Sequence, residues 1–241
     1  MIKKPKMILF DYGQTLIVEP QFDWTAANLA ILSHAAHLPE GMTEEEFCEC
    51  SNNLFEYVSG ARRESCREIE HEKFMRLLCD AYGLKLDISV AEADLLYWDS
   101  ATHGSFASPG AAEFLDFLHD NGIRTGVISN MCYANMALRT RLNRYLPNNR
   151  FDFVITSSDY ILRKPEKLLF DVAIRRAGLD PSEIWYVGDN PNADVVGALG
   201  AGMHPVLYTG AHMRDYSKLP PLSFDRVDSF EELKKLIENL A

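Results

Sequence analysis

The apolar positions of this chain follow two different periods, and the change between them divides the sequence into two parts. From residue 23 to about residue 97, apolar side chains recur with the spacing of amphipathic helices, and no convincing strand interrupts them. The pattern predicts four helical segments here. They are residues 24–37, a segment that Thr43 and Glu46 begin as a capping box, one with Phe74, Leu77, Leu78 and Ala81 on one face, and one that contains Leu95, Leu96 and Trp98.

From Pro109 onward, short apolar runs alternate with helical patterns. The predicted strands are residues 125–128, 153–156, 184–187 and 205–207. The predicted helices are residues 111–121, 135–142, a segment with Pro165 at its first helical position that runs to Gly178, residues 193–199, and a last helix capped by Ser229 and Glu232. This alternation is typical of a parallel sheet with helices on both faces.

The apolar run at residues 7–10 has no strand partner nearby in the sequence. The economical solution is that it belongs to the later sheet. We therefore predict an α/β fold with a Rossmann-like three-layer core around a parallel sheet, formed by residues 1–16 and 107–241. Residues 17–106 are then an inserted all-helical cap.

The composition of the chain argues against some classes of binding partner. The 241 residues carry a formal net charge of −11, which argues against nucleic acid as a partner, because phosphate backbones are held by Lys and Arg. No apolar run approaches the roughly 18–20 residues of a membrane span, and the N-terminus has no apolar core of signal-peptide length. The five cysteines are typical of reduced thiols. We expect a cytoplasmic protein without nucleic-acid or membrane partners, as a monomer or a small homo-oligomer.

Polar side chains follow the predicted strands at the ends where ligands bind in open α/β sheets. These side chains are Asp11, Ser129, Asn130, Lys164, Asp189 and Asp194. Carboxylates from neighbouring strands can share a hard cation such as Mg²⁺, and a hydroxyl and an ammonium group can hold phosphoryl oxygens. The set predicts a site for a phosphoryl group and a divalent cation, in which Asp11 attacks phosphorus to form an aspartyl-phosphate.

The same residues lie in four short motifs that occur in a definite order. The motifs are Asp11-Tyr-Gly-Gln-Thr15, Ser129-Asn130, Lys164-Pro165 and Gly188-Asp189-Asn-Pro-Asn-Ala-Asp194. Over the whole chain, this order resembles the haloacid dehalogenase-like hydrolase superfamily, in which a helical cap after the first strand is a common subtype. The resemblance implies a Mg²⁺-dependent phosphatase that acts on a small phosphorylated metabolite.

The resemblance also implies a role for each position. Asp11 matches the nucleophile and a metal ligand, position 13 gives a main-chain carbonyl to the metal, and Asp189 and Asp194 match the acidic residues of the metal site. Ser129 and the backbone of Asn130 match the phosphate-binding groups. Lys164 matches the lysine that orients the nucleophile and the phosphate.

Gly13 departs from the pattern of family phosphatases, which usually carry an Asp there as general acid and base. General acid–base catalysis contributes about 10²–10⁴-fold to a rate, so a phosphatase with Gly13 needs another source for the proton. Water or a side chain of the predicted cap are the candidates for that source. The side chains considered are Glu19, His71, Arg62 and Arg63.

Three other interpretations stay open. Lys73 or Lys85 could form a Schiff base with an aldehyde and support cleavage of a C–P bond, as in phosphonoacetaldehyde hydrolase. A dehalogenase is disfavoured, because metal-free dehalogenases do not carry the Gly188-Asp189 metal motif. The last interpretation is a non-catalytic or regulatory binding protein that keeps the fold and the metal site.

Overall fold

The computed structural model describes residues 2–39, 41–60 and 62–240, and for residues 63 and 64 it describes only the backbone. Six of its strands form one parallel sheet. The described residues contain eight strands, of which all but β2 and β3 belong to this sheet. In chain order they are β1 (Met7–Phe10), β2 (Ile17–Val18), β3 (Phe106–Ala107), β4 (Arg124–Ser129), β5 (Phe151–Thr156), β6 (Ile184–Gly188), β7 (His204–Tyr208) and β8 (Asp225–Val227). The α-helices are α1 (Trp24–Leu32), α2 (Glu44–Ser59), α3 (Arg62–Ser65), α4 (His71–Tyr82), α5 (Val90–Ala101), α6 (Ala111–Asp120), α7 (Asn135–Tyr145), α8 (Ser157–Tyr160), α9 (Lys167–Ala177), α10 (Val196–Gly200) and α11 (Phe230–Glu238). A 3₁₀ turn covers Pro181–Glu183, and a π turn covers Pro191–Val195.

Strand β1 lies in the middle of the sheet, whose order is β5-β4-β1-β6-β7-β8. From β1 the chain builds outward through β4 and β5, and then in the other direction through β6, β7 and β8. This reversal leaves a crevice beyond the carboxyl ends of β1 and β6, which is where ligands bind in sheets of this order. Phe10 is level with Val127 and with Val187, so the residues that follow β1, β4 and β6 emerge side by side.

Helices cover both faces of the sheet. Ile8 and Phe10 pack on one face with residues of α6, α7 and α11, whereas Met7 and Leu9 pack on the other with residues of α9 and α10. Successive side chains of a strand point to opposite faces, so an uninterrupted apolar run fits a strand that is buried on both. The predicted α/β fold with a three-layer core is confirmed.

Helices α1–α5 lie between β1 and β4 in the chain and form the predicted helical insertion. The short strands β2 and β3 pair antiparallel at its two ends, with Ile17 opposite Ala107 and Val18 opposite Phe106. Within the insertion, α1 packs against α5 and α2. The division of the chain at residues 16 and 107 stays a prediction.

None of the helices in the described part of the chain has both the length and the apolar character needed to cross a bilayer.

The helix predicted at residues 24–37 ends early, at Leu32. The backbone that follows pairs with another segment instead: Ala36 N–H donates to the carbonyl of Lys85 at 3.1 Å, and Asp87 N–H donates to the carbonyl of His34 at 2.9 Å. Backbone groups that are satisfied by tertiary hydrogen bonds do not need the helical ladder. The prediction was wrong because this pairing involves residues fifty positions away along the sequence.

Two other details of the predicted helices were wrong. In α4, Leu77 is 45% exposed and Ala81 is also exposed, whereas the buried side includes Phe74 and Leu78. The helix predicted at 193–199 is divided into a π turn followed by α10. The strands β2, β3 and β8 were not predicted, because two or three residues are too few to show a period.

Pro165 does not begin a helix, contrary to the prediction. Helix α9 begins at Lys167 with Glu166 as its N-cap, and the peptide bond between Lys164 and Pro165 is cis. The amide side chain of Asn130 holds the backbone here: Lys164 N–H donates to Asn130 Oδ1 at 2.7 Å, and Asn130 Nδ2 donates to the Lys164 carbonyl at 3.0 Å. These two hydrogen bonds keep Lys164 in the loop before α9.

The close approach of Asp194 to Gly188 makes a testable prediction about stability. A Cβ atom on Gly188 would lie within 2.8 Å of the Cβ, Cγ and Oδ2 atoms of Asp194, whereas a Cβ atom on Gly200 meets nothing within 4 Å. We expect Gly188→Ala to lower the free energy of unfolding by about 1–3 kcal/mol. Gly200→Ala, in a helix, should change it by less or raise it by about 0.4–1 kcal/mol. Urea unfolding of both variants checks this, and equal losses would contradict it.

Candidate active site

A cavity of about 380 Å³ lies beyond the carboxyl ends of β1, β4 and β6, and all seven predicted site residues line it. They are Asp11, Gly13, Ser129, Asn130, Lys164, Asp189 and Asp194. The insertion and the loop before it add Glu19, Phe22, Trp24, Phe55 and Arg62. This volume suits a small molecule. The structure thus brings the seven residues together, while their individual roles stay predictions.

Three carboxylates meet in this cavity, since one oxygen from each of Asp11, Asp189 and Asp194 lies within 4.8 Å of the others. Burial and the charges of Asp11 and Asp194 raise the pKa of Asp189 to about 7. Burial also raises the pKa of Asp194, and the charge of Lys164 offsets that only in part. Crowded, buried carboxylates of this kind fit a bound cation, and an all-oxygen donor set is what a hard divalent ion prefers.

The ammonium group of Lys164 lies beside two of these carboxylates. Its Nζ donates to Asp11 Oδ1 at 2.8 Å, lies 2.7 Å from Asp194 Oδ1, and donates to the hydroxyl of Tyr186 at 2.7 Å. A fourth contact, at 3.1 Å, goes to the carbonyl of Ile128. Burial alone would lower the pKa of Lys164, but the charges of Asp11 and Asp194 outweigh it and the pKa is raised. The lysine is therefore a permanent buried cation at neutral pH.

The turn after β6 positions Asp194. Asn190 caps this turn, because its Oδ1 accepts the N–H groups of Asn192 at 3.0 Å and Ala193 at 3.1 Å. The Oδ2 atom of Asp194 accepts the N–H of Asn190 at 2.9 Å. The π turn aims the carboxylate back toward β1, and such turns are frequent at functional sites.

Arg214 and Tyr186 complete the site and were missed by the sequence analysis. Arg214 lines the cavity, and its Nε donates to Oδ2 of Asp189. It comes from the irregular segment between β7 and β8, where no period or motif distinguishes an arginine from a solvated side chain. Tyr186 accepts a hydrogen bond from Lys164 and donates one to the carbonyl of Ile128 at 2.8 Å. Within the apolar run of β6 its hydroxyl gives no separate signal.

Two buried side chains near Gly13 share the guanidinium group of Arg141. Tyr12 is fully buried, and its hydroxyl accepts from Arg141 Nε at 2.9 Å. Glu19 is 5% exposed, and its Oε1 accepts from Trp98 Nε1 at 3.0 Å and from Arg141 Nη2 at 3.1 Å. Burial raises the pKa of Glu19 to about 7, although Arg141 and Trp98 counteract it.

The other side chains considered as proton donors are less suitably placed. His71 is fully buried, contacts Asp94 at 2.6 Å and does not line the cavity. Arg62 lines the cavity and pairs with Glu68 at 3.4 Å, but an arginine keeps its proton at any physiological pH. The side chain of Arg63 lies outside the described residues.

The two lysines considered for Schiff-base chemistry lie outside the cavity. Lys73 is exposed and pairs with Glu70 at 2.9 Å within α4. Lys85 is also exposed. Their positions give no support to C–P bond cleavage through either residue.

The buried position of Lys164 predicts a large cost for its removal. Lys164→Met leaves the carboxylates of Asp11 and Asp194 without their cation, and we expect the free energy of unfolding to fall by about 3–5 kcal/mol. The matched control is Lys167→Met, because Lys167 is exposed and pairs with Asp171 one helical turn away; its effect should stay below about 0.5 kcal/mol. Chemical denaturation in metal-free buffer measures both. A loss below 1 kcal/mol for Lys164→Met would contradict the expectation.

Comparisons with known proteins agree with the geometry. The model of the haloacid dehalogenase-like hydrolase family matches residues 6–202. The chain is 25% identical over 244 residues to ribulose-1,5-bisphosphate 5-phosphatase of Halopiger xanaduensis, covering 97% of this chain and 95% of that protein. It is 28% identical over 246 residues to glyceraldehyde 3-phosphate phosphatase of Methanopyrus kandleri, covering 98% of each.

A solved structure, 2-haloacid dehalogenase from Pseudomonas syringae pv. Tomato, shares the fold over the full length of both chains. The TM-score is 0.64 and the sequence identity is 22%. Together with the family match and the four motifs gathered around one cavity, this establishes that the chain belongs to the haloacid dehalogenase-like hydrolase family.

Proposed function

We propose that this protein is a Mg²⁺-dependent phosphatase that hydrolyses a small phosphorylated metabolite through an aspartyl-phosphate on Asp11. The observation that carries the proposal is the contact of 2.8 Å between the Asp11 carboxylate and the Lys164 ammonium group, inside a cavity that Asp189 and Asp194 also line. An anionic nucleophile and an anionic ester repel each other, so a site of this kind needs buried positive charge next to the nucleophile.

In this proposal Asp11 attacks the phosphorus atom and the ester oxygen departs. Lys164 holds the Asp11 carboxylate in place and offers its charge to the phosphoryl oxygens. The hydroxyl of Ser129, which is 3% exposed and lines the same cavity, donates a hydrogen bond to them. Water then attacks the phosphorus atom, which regenerates Asp11 and releases phosphate.

Asp11, Asp189, Asp194 and the main-chain carbonyl of Gly13 are the groups that would hold Mg²⁺. The bound ion supplies positive charge that offsets the carboxylates and the phosphoryl oxygens. The raised pKa of Asp189, about 7, supports this assignment, because the same crowding that favours its protonated form also favours a cation among the three carboxylates.

A small phosphorylated metabolite is the substrate class that the cavity and the relatives support. The two full-length relatives are named as phosphatases of ribulose-1,5-bisphosphate and of glyceraldehyde 3-phosphate. We propose that residues 17–106 act as a cap that selects the substrate. Support comes from Phe22, Trp24 and Phe55, which form an aromatic wall of the cavity, with ring centroids 4.8 and 6.1 Å apart along the row.

The proposal predicts phosphate release that depends on Asp11. With Mg²⁺, the purified protein should release phosphate from p-nitrophenyl phosphate or acetyl phosphate, and Asp11→Asn should lower kcat by more than about 10³-fold, because the nucleophile is lost. Asp171→Asn, on the exposed side of α9, serves as the matched control and should keep full activity. Chelation of Mg²⁺ by EDTA should stop turnover reversibly.

The absence of phosphate release across a broad panel of phosphorylated metabolites, with Mg²⁺ binding still measurable by calorimetry, would contradict the proposal. That result would indicate a binding protein.

A further inference from the structure

Gly13 has no side chain, and the carboxyl group of Glu19 lies next to it. A Cβ atom built on Gly13 would lie 3.4 Å from Oε2 of Glu19 and within 4 Å of no other atom outside its neighbours in the chain. A carboxylate oxygen from another loop therefore lies in van der Waals contact with the point at which a side chain of residue 13 would begin. Both residues line the same cavity as Asp11.

The two oxygens of Glu19 have different surroundings. Oε1 is held by Trp98 Nε1 at 3.0 Å and by Arg141 Nη2 at 3.1 Å. Oε2 accepts no hydrogen bond from the described residues, and it is the oxygen that approaches Gly13. One oxygen of the carboxyl group is thus held by two donors, and the other lies next to Gly13.

The two side chains that hold Oε1 of Glu19, Arg141 and Trp98, are themselves held by buried contacts. The side chain of Arg141 is fully buried and also donates to the hydroxyl of Tyr12 at 2.9 Å, to Ser105 Oγ at 3.0 Å and to Asp99. Trp98 is fully buried as well, and its ring lies 4.3 Å from the guanidinium carbon of Arg141. Glu19 therefore has little freedom to leave the position next to Gly13.

We propose that Glu19 is the general acid and base that replaces the missing side chain at position 13. In the first step, an Asp11 oxygen bonds to phosphorus, the ester P–O bond breaks, and the leaving oxygen takes the proton of the Glu19 carboxyl group. In the second step, the Glu19 carboxylate takes a proton from water as the water oxygen bonds to phosphorus and the bond to Asp11 breaks. The phosphate ester and water are the two reactants, and Glu19 returns to its protonated form at the end of the cycle.

This inference rests on the proposed phosphatase function and adds the residue that moves the proton. A general acid must lie within reach of the oxygen to which it gives its proton, and Glu19 lines the same cavity as Asp11. The alternative is that Glu19 only balances the charge of Arg141. These two roles of Glu19 differ in how the rate depends on the leaving group, because only a general acid accelerates the departure of a poor leaving group more than that of a good one.

The test compares Glu19→Gln with the natural chain on two esters in the presence of Mg²⁺. Gln keeps an acceptor for Trp98 and Arg141 but has no proton to give. We expect kcat/KM for an alkyl ester such as glycerol phosphate to fall by about 10²-fold or more. For p-nitrophenyl phosphate, whose leaving group needs little protonation, the fall should stay below about tenfold.

Two further variants distinguish the loss of a general acid from a general loss of activity. Gly13→Asp combined with Glu19→Gln places an acid at position 13, where a Cβ atom would stand 3.4 Å from the side chain of residue 19, and it should raise alkyl-ester turnover about tenfold or more above Glu19→Gln alone. Glu68→Gln is the matched control, since Glu68 is a second buried glutamate held by arginines but does not line the cavity. It should leave the ratio of the two rates unchanged.

The outcomes separate the two proposals. Equal losses on both esters, with no rescue by Gly13→Asp, would overturn the role of Glu19 while leaving the phosphatase function in place. If the natural chain and Glu19→Gln alike release no phosphate from either ester, the proposed function fails and the inference fails with it.

Discussion

The buried ammonium group of Lys164 is the charge on which the rest of the cavity depends. Moving a carboxylate out of water costs several kcal/mol even after the protein relaxes, and this cavity gathers three of them. Lys164 contacts two directly, Asp11 at 2.8 Å and Asp194 at 2.7 Å. Its own position is fixed at both ends, by the amide of Asn130 on its backbone and by Tyr186 and the Ile128 carbonyl at its Nζ. The nucleophile candidate and the metal-site candidates are therefore held in one fixed relation before any ligand arrives.

A second buried cation, Arg141, holds Glu19, a residue that lines the cavity. Arg141 belongs to α7 of the core, yet its guanidinium group reaches Tyr12 after β1, Glu19 after β2 and Asp99 of α5. Core and insertion thus share one charged group beside the cavity. A guanidinium group suits this task because its fixed fork of donors can serve several acceptors at once. Each of the two buried cations is paired with acidic side chains, Lys164 with Asp11 and Asp194 and Arg141 with Glu19 and Asp99.

Much of the fold could be predicted because its signals are local. The apolar run at residues 7–10 and the alternation after Pro109 require a sheet buried on both faces, and the helical period of the insertion is equally clear. The errors share a different cause. The helix at 24–37 ends where its backbone pairs with residues 85–87, and Pro165 stays outside α9 because Asn130 holds Lys164. In both cases, a contact between residues far apart in the sequence overrides a local preference.

The sequence by itself determined the family, the sheet edge at which the candidate site lies and seven of the residues that line its cavity, because these follow from short motifs at the ends of strands. Only the tertiary structure decided what surrounds those residues. It brought Arg214 to Asp189, gave Asp189 and Glu19 their raised pKa values, and put the carboxyl group of Glu19 next to Gly13. The physical reason is that desolvation, charge–charge interaction and occupied volume depend on distances in space, and a sequence pattern records none of these for residues that lie far apart along the chain.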